Sequence, residues 1–270
     1  MPVIIIAADS YEKGREIGKQ TAEALGYQYV DRELLGRVSE VCKAPEERLV
    51  RLLEEAAPTP LGGVFSKRWR EQVACIQQEV LQRLLEDEVV CHGLCAHLYV
   101  LGVSHAIRVR LISRGAEDGG APAVVCDADV EEDAARFQKQ WRCWSLRADD
   151  QEQDYLCRYD LVINLDAVDT PDVVARLTEA VADPKFRANT YSLNCLRDLE
   201  LAARVRVRLM EDFPNVDVEA NAATVVVRAK LSRRSRNRQI ENIKKRVREM
   251  PGVAYVEVHP VSSLLPKATP

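Results

Sequence analysis

No stretch of this 270-residue chain approaches the roughly 20 consecutive apolar residues that a membrane-spanning helix needs, so no membrane span is expected. The N-terminus lacks the charged, then apolar, then small order of a secretory signal peptide, and an apolar run begins at Val3; the expected compartment is the cytoplasm. Excess positive charge is missing as well. The formal net charge of −4 speaks against wholesale nucleic-acid binding, though it leaves room for a local basic patch. H-E-x-x-H, a Ser/His/Asp order and a paired-carboxylate signature are all absent. What remains is 47% hydrophobic and 30% charged, an ordinary soluble balance, with length for one large domain and one small one. The eight cysteines are scattered through predicted helices and strands and read as small buried hydrophobes in a reducing compartment.

Glycine is also short where it would matter most. Val3 to Ile6 is an unbroken β-branched run, as in a strand buried on both faces of a parallel sheet. From Gly14 to Leu25, Ile17, Thr21, Ala24 and Leu25 recur at helical spacing. The turn between them sits where a phosphate-binding loop would, and a helix N-terminus there offers N–H groups and partial positive charge to an anion. The strong form of such a loop is G-x-x-x-x-G-K-[ST]. Here Ser10, Tyr11 and Glu12 fill the turn, and Gly14 is followed by Arg15 and Glu16.

Apolar runs predict strands at Val3–Ala7, Glu88–Cys91, Ile107–Ile112 and Asp160–Leu165, separated by helical stretches. Ser66 can cap a helix through Glu86, and Thr170-Pro171 opens another with Thr170 as N-cap. This alternation predicts an α/β fold with a doubly wound parallel sheet, whose ligands lie outside the carboxyl ends of the strands, near Asp9–Gly14. Pro58–Gly63 and Glu117–Pro122 read as breaker-rich loops. The pattern changes near Ala182–Asn189. Beyond it come a helix from about Ser192 to Met210, strands Val216–Ala220 and Thr224–Ala229, a helix Asn237–Arg248 and a strand Val253–His259. The predicted domains are residues 1–182 and 190–262.

Cys91, His92, Cys95 and His97 suggest a metal cluster, but no distant Cys/His pair completes it, and neighbouring strand residues face opposite ways, so no metal site is assigned. His92, His97 and His105 are either ligand-facing or merely hydrogen-bonded. Residues Arg228 to Arg248 carry ten Lys/Arg against one Glu. Either this is a solvated helix face, or it meets anionic lipid or a protein partner; nucleic acid is disfavoured because base-stacking aromatics are lacking there.

Lys13 to Leu35 resembles the opening of the cytidylate-kinase-like P-loop family. In it a Gly-rich turn leads into G-R-E-I-G, a helix and Y-x-D-[KR]-E-L-[IL]. The matches are Gly14, Arg15, Glu16, Ile17, Gly18, Leu25, Gly26, Tyr29, Asp31, Arg32, Glu33 and Leu34, and Tyr159 to Asn164 reproduces the family's Y-D-L-V-I-N strand. The departures are Tyr11 and Lys13 in place of glycines, His92-Gly93-Leu94 where many members carry Gly-Arg-Gly, and a lid (Glu131 to Trp144) with its arginine shifted by one. The resemblance implies a nucleoside-monophosphate-kinase-like sheet that moves phosphate from ATP, with Mg²⁺, to a nucleotide such as CMP. It assigns nucleotide contacts to Lys13, Gly14, Arg15, Gly18, Asp31, His92 and Gly93, and catalysis to the lid's Arg136, Lys139 and Arg142. The C-terminal stretch resembles a BON domain through Pro251, Gly252, Val253 and Val256. Two readings follow: a cytidylate-type kinase with an altered loop, or a non-catalytic pseudokinase that binds an anion or acts as a scaffold and signals through the BON-like domain.

Overall fold

The computed structural model describes residues 1–54, 66–113 and 159–261. The breaker loops at Pro58–Gly63 and Glu117–Pro122 and the lid residues Arg136, Lys139 and Arg142 lie outside them. Strand β1 (Val3–Ala8) passes through Asp9 and Ser10 into α1 (Tyr11–Leu25). There follow β2 (Gln28–Val30), a 3-10 turn at Arg32–Leu34, α2 (Leu35–Cys42), α3 (Glu46–Glu54) and α4 (Lys67–Leu84). Next come β3 (Val89–His92), the short α5 (Ala96–Tyr99), β4 (Ala106–Ile112), β5 (Leu161–Asn164) and α6 (Thr170–Ala182).

These five strands form one parallel sheet in the order β2-β3-β1-β4-β5. Its layering follows from the β1 side chains. Val3 and Ile5 enter a core with Val38 of α2 and Ile76 and Val80 of α4. Ile4 and Ile6 enter the opposite core with Ile17 of α1 and Val173 and Leu177 of α6. Side chains alternate along a strand, so a strand covered on both faces must be apolar throughout. The chain leaves central β1 to build one flank and crosses to the other at β4. This topology puts a crevice at the carboxyl end of β1.

In the parallel-sheet half, β2 and the cap of α6 differ from expectation. The edge strand β2 has no sequence signature, because Gln28 is exposed and only Val30 is buried; its pairing with Val89–Cys91 creates it. Helix α6 is capped by Asp169 rather than Thr170, and that cap makes no side-chain hydrogen bond. A shift of one residue is within ordinary fraying of helix ends.

Helix α7 (Thr190–Met210) starts two residues before the expected Ser192, because Asn189 and Ser192 form a reciprocal capping box. It has two apolar faces. Leu196 and Ala203 join the core that holds Val3 and Ile5, whereas Leu201, Val205 and Leu209 lie under a second sheet. That sheet has the order β6-β7-β8, from β6 (Val216–Asn221), β7 (Thr224–Ala229) and β8 (Tyr255–Pro260). The β6–β7 pair is antiparallel and β7–β8 is parallel, with α8 (Arg236–Arg248) in the crossover. Among the described residues no helix is long and apolar enough to cross a membrane.

Candidate functional site

The crevice at the end of β1 is built on a tight turn. Only Asp9 and Ser10 separate strand from helix, and Ser10 caps α1 by accepting a hydrogen bond from the Lys13 N–H at 3.4 Å. Tyr11, Glu12 and Lys13 are already helical, and no residue from Asp9 to Leu25 has positive φ. Side chains at Tyr11 and Lys13 are thus accommodated by winding the turn into α1, where left-handed backbone is not required.

Asp9 faces inward. Its carboxylate pairs with Arg110 of β4, whose side chain is 3% exposed, and accepts the Ser113 N–H at 3.2 Å. Asp160, at the start of β5, holds Arg108 in the same way, at 3.0 Å. The alternation Arg108-Val109-Arg110 in an otherwise apolar strand is a signal that could have pointed to these pairs, since arginine is rarely buried without a partner.

Beside Asp9, Tyr11 lies between two groups. Its ring stacks on His92 with centroids 5.0 Å apart, and the Arg32 guanidinium lies over it, 4.0 Å from the ring centroid. The Tyr11 hydroxyl donates to Asp31 Oδ2 at 3.4 Å, while Asp31 Oδ1 accepts the Glu33 N–H at 2.9 Å. Arg15 reaches Asp31 at 3.4 Å and Glu33 at 3.6 Å. Arg32 also pairs with Glu54. Asp31 is therefore fully engaged inside the protein, and the arginines here already face carboxylates. Lys13 is exposed, with no ion pair among the described residues.

His92 is the centre of the cluster. Its Nδ1 lies 3.3 Å from the Tyr29 hydroxyl, and burial pushes its pKa down to about 4, so it is neutral at physiological pH. Burial and then Asp31 push the Tyr29 hydroxyl well above its ordinary range. Gly14 and Gly18 admit these rings. A Cβ on Gly14 would stand 2.3 Å from His92 Nε2 and 2.7 Å from the Ala8 Cβ; one on Gly18 would stand 2.7 Å from the Tyr29 ring. Gly93, with φ 71°, turns the chain after β3 and is followed by left-handed Leu94 and Cys95; its N–H donates to Ile6 O at 2.9 Å.

The site residues expected from sequence thus divide. Gly14, Arg15, Gly18, Asp31, His92 and Gly93 meet at the ends of β1 and β3 with Tyr11, Tyr29 and Arg32. Lys13 stands at the rim. His97 tilts against Tyr159 at 5.3 Å, and His105 is wholly buried at the other end of the sheet, where its carbonyl accepts from Val3 N.

No curated protein matches the chain with significance. Among solved structures, an uncharacterized protein from Eubacterium ventriosum ATCC 27560 is 14% identical, with 68% of this chain and 99% of that one covered and a TM-score of 0.38. A shikimate kinase from Bacteroides thetaiotaomicron is 15% identical, with 67% and 99% covered and a TM-score of 0.37. Neither likeness bears on function. The profile of the cytidylate kinase-like family, by contrast, matches residues 3–167, a span holding the crevice, its tight turn and all five strands of the parallel sheet. That span is more than half of the sequence, and on it the chain belongs to the cytidylate kinase-like family.

Proposed function

We propose that this chain is a non-catalytic member of its family, in which an eroded phosphate loop has become a packing site. The observation that carries this reading is Tyr11, the first residue of α1, whose ring is in contact with both His92 and Arg32. A triphosphate needs an open concavity lined by backbone N–H groups and a facing cation. Here the turn is wound into helix, a carboxylate (Asp9) stands at the strand end, and Arg15, Arg32 and Arg110 are neutralised by acids. The residues present do not fit ATP with Mg²⁺, and phosphoryl transfer, which depends on positioning, tolerates little loss of that geometry.

Residues 190–262, a BON-like domain on this reading, then supply the interaction surface to a scaffold of residues 1–182. Arg233, Arg234, Arg236 and Arg238 border a concavity of about 440 Å³ at the start of α8. Neither they nor Lys245 and Arg248 have an ion-pair partner among the described residues, whereas Lys244 and Arg246 do. Unpaired cations at this density fit an anionic partner surface.

The test is calorimetric titration with ATP, CMP and Mg²⁺, followed by a coupled phosphotransfer assay. No turnover is expected, and any ATP binding should fall when Lys13 is changed to Ala. Turnover overturns the reading in favour of the rival one, a cytidylate-type kinase working from its lid and an altered loop. Flotation with phosphatidylserine vesicles, against neutral vesicles, separates a bilayer from an acidic protein as the C-terminal partner.

A further inference from the structure

Two helices carry exposed stripes of charge with the same spacing. On α6, the N-cap Asp169 and then Asp172, Arg176 and Glu179 read minus, minus, plus, minus at i, i+3, i+7 and i+10. On α8, Arg238, Glu241, Lys245 and Arg248 read plus, minus, plus, plus at the same steps. At about 100° per residue, each set lies within an arc of about 80° and runs about 15 Å along its helix. All of these residues are exposed. The buried faces point elsewhere: Val173 and Leu177 anchor α6 to the parallel sheet, and Ile243 and Val247 anchor α8 to the second sheet. Within the chain the charges are almost unused. Glu241 meets Lys244, a neighbour on its own helix, at 3.5 Å, and the others have no ion pair among the described residues.

We propose that α6 of one copy docks antiparallel on α8 of a second copy, so that the chain associates with itself. Laid antiparallel, the stripes oppose only unlike charges: Asp169 with Arg248, Asp172 with Lys245, Arg176 with Glu241 and Glu179 with Arg238. The inverted pair, Arg176 with Glu241, is the telling one, because an acidic helix meeting a basic one has no need of it. Laid parallel, the stripes set Asp172 against Glu241 and Arg176 against Lys245, so like charges reject that direction. Past the helix ends the antiparallel alignment carries Asp183, the C-cap of α6, towards Arg234. The proposal rests on the reading of α8 as a surface for an anionic partner, and it names that partner. Every copy carries both stripes, so the contact repeats from copy to copy, either closing on itself or extending. Exposed ion pairs are individually weak and screened by salt, which makes the association salt-dependent.

The experiment is sedimentation equilibrium of the full chain at about 0.1 M and about 1 M salt, where the Debye length is about 10 Å and about 3 Å. A weight-average mass above the 30.4 kDa of one copy is expected at the lower salt, and the mass of one copy at the higher. Two charge-reversed chains identify the surfaces, one with Asp172→Lys and Glu179→Lys, the other with Arg238→Glu and Lys245→Glu. Each alone should stay monomeric at the lower salt. Their equimolar mixture should recover the larger mass, because each reversed stripe then faces its complement. An unaltered chain that is monomeric at the lower salt overturns the proposal, whatever the variants do, and so does a mixture that stays monomeric. If that monomer still floats with phosphatidylserine vesicles and the Arg238→Glu, Lys245→Glu chain does not, only self-docking falls and α8 remains a surface for another anion. Association that survives the α8 reversal overturns both the proposal and the reading of α8 on which it rests.

Discussion

Burial holds His92 neutral, and that couples the stability of the crevice to pH. Its folded pKa of about 4 lies below the ordinary 6.5, so between these values the unfolded chain binds more protons than the folded one. The contribution is whole above pH 6.5 and is lost as pH falls towards 4, reaching about 3 kcal/mol in full. His105, also lowered by burial, acts in the same direction. Urea denaturation at pH 7.5 and pH 5 should show a loss of stability larger by about 2 kcal/mol in the unaltered chain than in His92→Gln. A second residue-scale effect lies in the β6–β7 hairpin, where Ala222 and Ala223 have φ of 45° and 65°. Tight hairpin turns favour Asn-Gly because both central residues are left-handed. Ala223→Gly is expected to raise the unfolding free energy by about 0.5–1 kcal/mol, measured by the same denaturation. The sequence shows Asn221 to Ala223 without a glycine; only the pairing of Asn221 with Thr224 shows which residues must bend.

At the level of elements, α1 approaches the sheet as closely as it does because two of its residues have no side chain. Alanine is the better helix former by about 1 kcal/mol, so on propensity alone Gly14→Ala and Gly18→Ala would stabilise the chain. Contacts reverse that sign. His92 is stacked by Tyr11 and tied to Tyr29, so it cannot yield to a Cβ at 2.3 Å. Each substitution is expected to lower the unfolding free energy by about 1–3 kcal/mol, and Gly14→Ala should also disturb the His92 resonances in an NMR titration. The helices α4, α6, α7 and α8 and the long strands were legible to within about two residues, since a 3.6 or 2.0 period survives in one dimension; α1 starts three residues before the expected Gly14, and α2 and α3 were not bounded from the sequence. The purpose of Gly14 and Gly18 was not legible. The GREIG run resembles a phosphate-loop motif, yet Gly18 also answers to the Tyr29 ring of β2 and Gly14 to the His92 ring of β3, the latter far away in sequence.

Across the whole molecule, α7 links the two sheets. It puts Leu196 and Ala203 against α4, while Arg206 donates to Gln77 at 3.1 Å and Lys67 donates to the Glu211 carbonyl at 2.9 Å. A helix buried on both sides couples its neighbours, so the chain should unfold in one transition, with far-UV circular dichroism and Trp fluorescence coincident. Leu196→Ala should cost about 2–4 kcal/mol and shift both signals together; separate transitions would show that the sheets unfold independently. The change of pattern near residues 182–190 was visible in the sequence, but not that the following helix serves both sides, because one helix with two apolar faces reads as a single amphipathic stripe. The sequence by itself determined the parallel sheet, the kinase-like family and the placing of the turn at the end of β1, since these rest on periodicity and on local runs such as Tyr159–Asn164. Only the tertiary structure decided what fills the turn. Tyr11, Asp31, His92 and Arg110 are far apart along the chain, and whether they frame a phosphate or one another depends on distances that no local pattern encodes.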